Sequence, residues 1–350
     1  MADLNREGDG VSEDGVANSG WRLERGVFTV SLDFELIWGT LDFFGPGGFQ
    51  QAYQRERTEV IDRLLELFVE FEVSATWCML GHLFLDHCAP EEGHKHPEIV
   101  RPAHAWHQQD WFIHDPCSDE ERAPLFYGRS LLEKIRACAV PQEIGCHSFS
   151  HVIFGDPGCT RETAASEVAA CVRLARGMGL ELSTFAFPRN KVGHLEVLRE
   201  YGFMRFRGPD PLWYEQGDGD RSVIKRLAHL WDVLTVAPPP VVLPELTIAG
   251  LWNIPGSMIY FPMHGLRRYI PISIRVRRAI KGLEAAAREK RIFHLWFHPT
   301  NLAFKMEQMF TGLRAILQHA ALMRERGLLE IQPLGALAPA ADRSLNERSV

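Results

Sequence analysis

Two histidines four residues apart, His147 and His151, close the run Gln142-Glu143-Ile144-Gly145-Cys146-His147-Ser148-Phe149-Ser150-His151, directly behind a strand-like segment. Side chains at i and i+4 share one face of a helical turn, so both imidazoles can close on one divalent ion, for which His is the commonest protein ligand. With 15 histidines in the chain, this spacing also arises by chance, and the reading needs further donors. The run Val27 to Glu35 supplies two, because it is β-branched and aromatic and ends in Asp33 and Glu35. Residues two apart on a strand point the same way, so the two carboxylates would face one pocket. The alternative is that they sit just past the strand in a solvated loop mouth. Arg291 to Pro299 is again strand-like and closes on His298, a candidate acid or base. A divalent ion held by imidazoles and a carboxylate keeps positions for water and a carbonyl oxygen, and the chemistry such a set serves is metal-assisted amide hydrolysis. Cys146 precedes His147, but strand alternation turns it away, and it is read as core.

The elements that must position these residues alternate between strand and helix, the pattern of a parallel α/β fold. Arg55 to Phe71 carries a helical apolar stripe at Val60, Ile61, Leu64, Leu65, Leu67 and Phe68, followed by a strand over Val73 to Cys78. Glu162 to Met178 repeats the pattern, with Gly177 and Gly179 as the stop and a strand over Leu182 to Phe187. A short helix over His194 to Tyr201 precedes a strand at Phe203 to Phe206. Asp33, His147, Arg189 and His298 all fall at carboxyl ends of strands, where barrel enzymes place their active sites.

From Phe28 to Asn301 the chain resembles the NodB-homology polysaccharide deacetylases. Ser31-Leu32-Asp33-Phe34-Glu35 is similar to that family's first motif, and His147-Ser148-Phe149-Ser150-His151 matches its second. Phe185-Ala186-Phe187-Pro188-Arg189-Asn190 looks like the third, and Leu295-Trp296-Phe297-His298-Pro299 like the last. The resemblance implies an α/β fold, a distorted (β/α) barrel of about seven parallel strands, forming a single domain with insertions. It implies Asp33 as base and His298 as acid, with Glu35, His147 and His151 holding one divalent ion, Zn2+ ahead of Co2+, Ni2+ or Mn2+. Two features depart from the pattern. The usual first motif has adjacent aspartates, which leaves the reverse assignment of Asp33 and Glu35 open, and the arginine of the third motif usually precedes the proline. Arg189, placed after it, is assigned to substrate binding or to a partnership with the catalytic carboxylate. The implied reaction is metal-dependent removal of an N-acetyl group from a sugar, releasing acetate. The alternatives are a metal-independent, allantoinase-like amidohydrolase and a catalytically silent sugar-binding barrel.

At 350 residues and 46% hydrophobic content the chain can bury one large core, assigned to residues 21–335 between a polar, disordered 1–20 and a polar tail, 336–350. A net charge of −7 and a pI near 6.1 argue against a nucleic-acid partner. Seven cysteines without a CxxC spacing give no disulfide framework or zinc knuckle. The N-terminus has no signal-peptide pattern and no apolar stretch is long enough for a transmembrane segment, so the expected location is cytoplasmic and the expected substrate a soluble nucleotide-linked or a lipid-linked N-acetylated sugar. Residues 87–127 exceed a plain connection and are read as an insertion capping the site, with Trp111 stacking on sugar; their six histidines are too irregularly spaced to predict a second metal. Residues 210–263, rich in Pro and Gly, are given no role. The basic run 267–291 suits either a barrel-flanking helix with a solvated face or peripheral contact with an anionic membrane.

Overall fold

The computed structural model describes residues 23–211 and 236–337, so the expectations for 1–20 and for most of the tail lie outside the described residues, as does 212–235 of the Pro- and Gly-rich segment. Among the described residues ten strands form one sheet: β1 (Gly26–Phe34), β2 (Thr76–Met79), β3 (Glu143–Cys146), β4 (Thr184–Ala186), β5 (Arg205–Arg207), β6 (Glu245–Leu246), β7 (Trp252–Asn253), β8 (Met258–Ile259), β9 (Ile292–Phe297) and β10 (Leu329–Ile331). Their order is β6-β7-β5-β4-β3-β2-β1-β9-β8, and every pairing is parallel except β6 with β7. The architecture is the expected distorted (β/α) barrel. The strand count exceeds the expected seven or so because β6, β7 and β8 are two-residue pieces at its seam and β10 pairs with the first residues of β1.

The seam is built by the last residues of the Pro- and Gly-rich segment, Trp252 to Tyr260. Ile254 and Gly256 donate their N–H groups to Phe206 and Gly208 on one side, and Ser257 and Tyr260 donate to His294 and Trp296 on the other. A Cβ on Gly256 would lie 2.0 Å from Asp210 Oδ1 and 2.8 Å from Trp296 Nε1, so only glycine lets the chain cross there. Strand β1 is buried along its whole length at the centre of the sheet, with β9 on one edge and β2 and β10 on the other. Near-continuous apolar strands of this kind belong to sheets covered on both faces.

Helices cover the outside. The expected helix after β1 is longer than its apolar stripe suggests, running from Gln50 to Glu70 with a π-helical turn over Glu56–Val60. The helix Arg161–Gly177 is capped by the Thr160 hydroxyl, which accepts from Thr163 N–H at 3.2 Å. The basic run forms a 3-10 turn and the helix Ile272–Glu289 against the barrel. Much of its charge is spent on the chain itself, with Arg275 donating to the carbonyls of Phe261 and Arg267, Arg278 to Ala237 and Lys281 to Val236. No helix among the described residues is long and apolar enough to cross a membrane. At the C-terminal end the folded part reaches past residue 335, because Leu337 is buried with Val27, Val242, Ile254, Ile292 and Leu334.

Candidate active site

The carboxyl ends of β1, β3 and β9 bring together Asp33, Glu35, His147, His151 and His298, all from the first, second and last sequence motifs. Asp33 is the penultimate residue of β1 and Glu35 lies one residue past its end, and both line a cleft of about 220 Å³ with His298. The same cleft is walled by Phe49, Tyr53, His264 and Phe304, flat faces of the kind that pack against sugar rings. The two carboxylates therefore face one pocket, as the i and i+2 spacing predicts. The chain reaches this arrangement through Leu36, which takes a positive φ of 49°. Gly39 then lies under the Glu35 carboxylate, where a Cβ would come within 1.6 Å of Glu35 Oε2.

Glu35 Oε1 is the point on which the imidazoles converge, with His147 Nε2 at 2.8 Å, His151 Nε2 at 3.3 Å and His298 Nε2 at 3.4 Å. His147 Nδ1 donates to the Ala186 carbonyl at 2.8 Å, which fixes that tautomer and leaves the Nε2 lone pair aimed at a carboxylate oxygen. Two lone pairs at that distance repel unless a cation lies between them or the ring gains a second proton. His151 Nδ1 is buried without a hydrogen-bond partner. The donor set of Glu35, His147 and His151, buried and within 4.8 Å of one another, fits a divalent ion of the zinc class.

The two histidines do not share a helical turn. Residues 147–153 form a loop in which Ser148 and His151 take positive φ values of 62° and 67°. Glu167, buried on the helix Arg161–Gly177, holds that loop by accepting from the N–H groups of Phe149 and Ser150 at 2.8 Å each and from Ser150 Oγ at 2.6 Å. Burial raises the Glu167 pKa against the pull of these hydrogen bonds. Strained backbone of this kind persists only where its surroundings over-determine it.

Asp33 is gripped by Arg207, the last residue of β5, through Nη1 to Oδ1 at 2.6 Å and Nη2 to Oδ2 at 2.7 Å. The guanidinium is fully enclosed, lies 4.2 Å over the Trp296 ring and donates to Asn190 Oδ1 at 2.9 Å. Arg189, expected to partner this carboxylate or bind substrate, pairs with Asp42 rather than Asp33 and lies against the stacked Phe43 and Trp106 rings at the rim. The partner of Asp33 thus comes from the strand after the third motif, which carries none of that motif's residue pattern. Burial pushes the Asp33 pKa up, and Arg207, with His147 and His298, more than reverses it. Burial likewise raises Glu35, but the facing imidazoles of His298, His151 and His147 bring it well below the carboxylate range. Burial lowers His298, and Glu35 and then Asp33 outweigh it and raise it to about 9.

Trp111 stands beside the site, but its indole N–H is committed to Ser150 O and Ser150 Oγ at 3.0 Å each, so it braces the histidine loop from the insertion. Trp106 is the more exposed of the two and shares Asp156 with His104. Cys146 is buried in the core, as strand alternation predicts.

No family model and no curated protein matches the chain. Among solved structures, one from Mycobacterium smegmatis described as a polysaccharide deacetylase is similar over 98% of this chain and 96% of its own, at 12% identity and a TM-score of 0.58. A second, from Pseudomonas aeruginosa PAO1 and described in the same terms, matches over 92% and 91% at 10% identity and a TM-score of 0.53. An allantoinase, Puue, matches over 92% and 91% at 10% identity and a TM-score of 0.54. The likeness is one of fold: the chain has the fold of the NodB-homology polysaccharide deacetylases, which an allantoinase also shares.

Proposed function

We propose that this chain hydrolyses the N-acetyl group of a sugar or polysaccharide precursor, releasing acetate, with a divalent ion held by Glu35, His147 and His151. The observation that carries the proposal is the convergence of both imidazoles of the second motif on Glu35 while Asp33 is turned to Arg207. That division favours Glu35 as ligand and Asp33 as base over the reverse. When bound, the ion supplies a Lewis acid that polarises the amide carbonyl and lowers the pKa of water toward neutrality. Asp33, kept ionised and aimed by its two-pronged contact with Arg207, accepts the proton of the attacking water. His298, whose Nε2 lies 3.9 Å from Asp33 and 3.4 Å from Glu35, gives its proton to the departing amine, which is a poor leaving group until protonated. Phe49, Tyr53, His264 and Phe304 offer the sugar its apolar contacts.

The metal-independent allantoinase-like reading shares the fold, but it gives the convergence of His147 and His151 on Glu35 no catalytic task. The test is acetate release from N-acetylated oligosaccharides by wild type beside Asp33→Asn and His298→Ala. Losses of about 10²–10⁴ in kcat with the bound ion retained are expected for both. Hydrolysis of ureide substrates with no acetate release from any N-acetylated sugar would overturn the reading.

A further inference from the structure

The insertion between β2 and the helix Arg129–Arg136 contains no helix or strand from Leu85 to Gly128, beyond isolated bridges and turns. Long structureless segments inside a compact domain are uncommon and need something to hold them. At the centre of this one, four side chains that ligate metals converge: His82 just before the insertion, and Cys88, His96 and Asp115 within it. One atom from each lies within 4.8 Å of all the others. His82 and Asp115 are enclosed, His96 is nearly so and Cys88 is half-buried.

We infer that His82, Cys88, His96 and Asp115 hold a second, structural divalent ion of the zinc class, separate from the catalytic cleft. The geometry repeats that of the active site. Asp115 Oδ2 lies 2.7 Å from His96 Nε2, 3.2 Å from His82 Nε2 and 3.8 Å from Cys88 Sγ, so the last two stand near the edge of about 3.3–3.8 Å of a tetrahedron with zinc bond lengths, and the His96 nitrogen would move out by about 0.6 Å to complete it. His82 Nδ1 donates to the Phe126 carbonyl at 3.1 Å, so its Nε2 lone pair points at the carboxylate. Asp115 Oδ1 is oriented separately by the Cys117 N–H at 2.9 Å, while the Cys117 thiol lies beside the cluster, 3.7 Å from Oδ2. The Tyr127 hydroxyl accepts from Ser118 N–H at 2.8 Å and so has its own proton for Cys88 Sγ, 3.1 Å away, which favours a thiolate there.

A thiolate and a carboxylate beside two neutral imidazoles balance the charge of one divalent ion in a site where unpaired charge is expensive. The mixed N, S and O donor set selects zinc-class metals over magnesium or calcium. Four protein ligands leave no position for substrate, so the ion is structural. It would join the insertion to the end of β2. The rings of His82 and His96 also pack against Phe149, at 5.6 and 5.3 Å, on the loop between His147 and His151.

The two sites separate on cobalt. Full-length protein stripped of metal and reloaded with Co2+ is expected to take up two ions per chain and to show a thiolate-to-cobalt charge-transfer band, which the oxygen- and nitrogen-only active site cannot produce. His147→Ala should lose one ion and keep the band, whereas Cys88→Ala should lose one ion and the band together. A single ion per chain in wild type, removed entirely by His147→Ala with no thiolate band at any loading, would overturn the inference even if the Cys88 variant did not fold. So would a Cys88–Cys117 disulfide in the unreduced protein as purified.

Discussion

Arg207 sets the state of Asp33, and the pH profile reports it. With the guanidinium in place the carboxyl is held below its usual range, so the acid limb of kcat/KM lies low. Arg207→Met removes the first-named cause of that lowering while burial remains, so the limb should move to higher pH, with stability falling by about 3–5 kcal/mol for a broken buried pair. An acid limb that stays in place would show that Asp33 is not the base. The opposite limb belongs to His298, whose pKa Glu35 and Asp33 raise to about 9 in the metal-free chain; an ion on Glu35 offsets the larger of those pulls, so the limb of the metal-loaded enzyme should lie below that value, and His298→Gln should abolish it. Gly39→Ala acts through geometry alone, since its Cβ displaces the Glu35 carboxylate. Metal affinity should fall by about 10–100-fold, read by competition with a chelator, with the melting temperature little changed. The five residues that meet at the cleft were legible because motif spacing carries them. Arg207 and Gly39 were not, because an arginine in a three-residue strand and a glycine in a turn show their purpose only once the barrel closes over them.

At the scale of elements, strand ends and helix stripes were read well because β1, β9 and the helix Arg161–Gly177 follow hydrophobic period and capping chemistry. The histidine loop was misread as a helical turn. Spacing at i and i+4 suits a helix, but Ser148 and His151 take positive φ, and Glu167, 16 residues on from His151 in sequence, holds that non-helical loop by accepting from the Phe149 and Ser150 N–H groups. Glu167→Gln replaces one acceptor oxygen by a donor against those groups and should cost about 1–3 kcal/mol together with metal affinity. The π-turn after β1 carries another buried acid. Burial raises Glu56 to about 8, with Thr300 donating to it. Unfolded, it titrates near 4.3, so its folded-state contribution is fully present below that pH and is lost as pH rises through about 8. Thermal unfolding of wild type should therefore show a decline over that window, on the order of several kcal/mol, that Glu56→Gln lacks.

Across the whole molecule, the sequence motifs located a barrel and its active end, whereas the parts that complete it came from segments with no periodic signal. The seam at Gly256 and the turns of the insertion depend on contacts between residues far apart in sequence, and irregular histidine spacing concealed a cluster that forms only when Cys88, His96 and Asp115 fold back on His82. The basic helix shows the same limit, since its charge pattern was visible but its use on neighbouring carbonyls was not. The central claim, a metal-dependent deacetylase with Glu35, His147 and His151 as ligands, is tested most directly by acetate release from an N-acetylated sugar. It should be measured on wild type before and after metal removal and after readdition, beside His147→Ala and His151→Ala. Activity that disappears with the metal, returns with it and is absent from both variants is the predicted result. Undiminished amide hydrolysis by protein shown to hold no metal would contradict it.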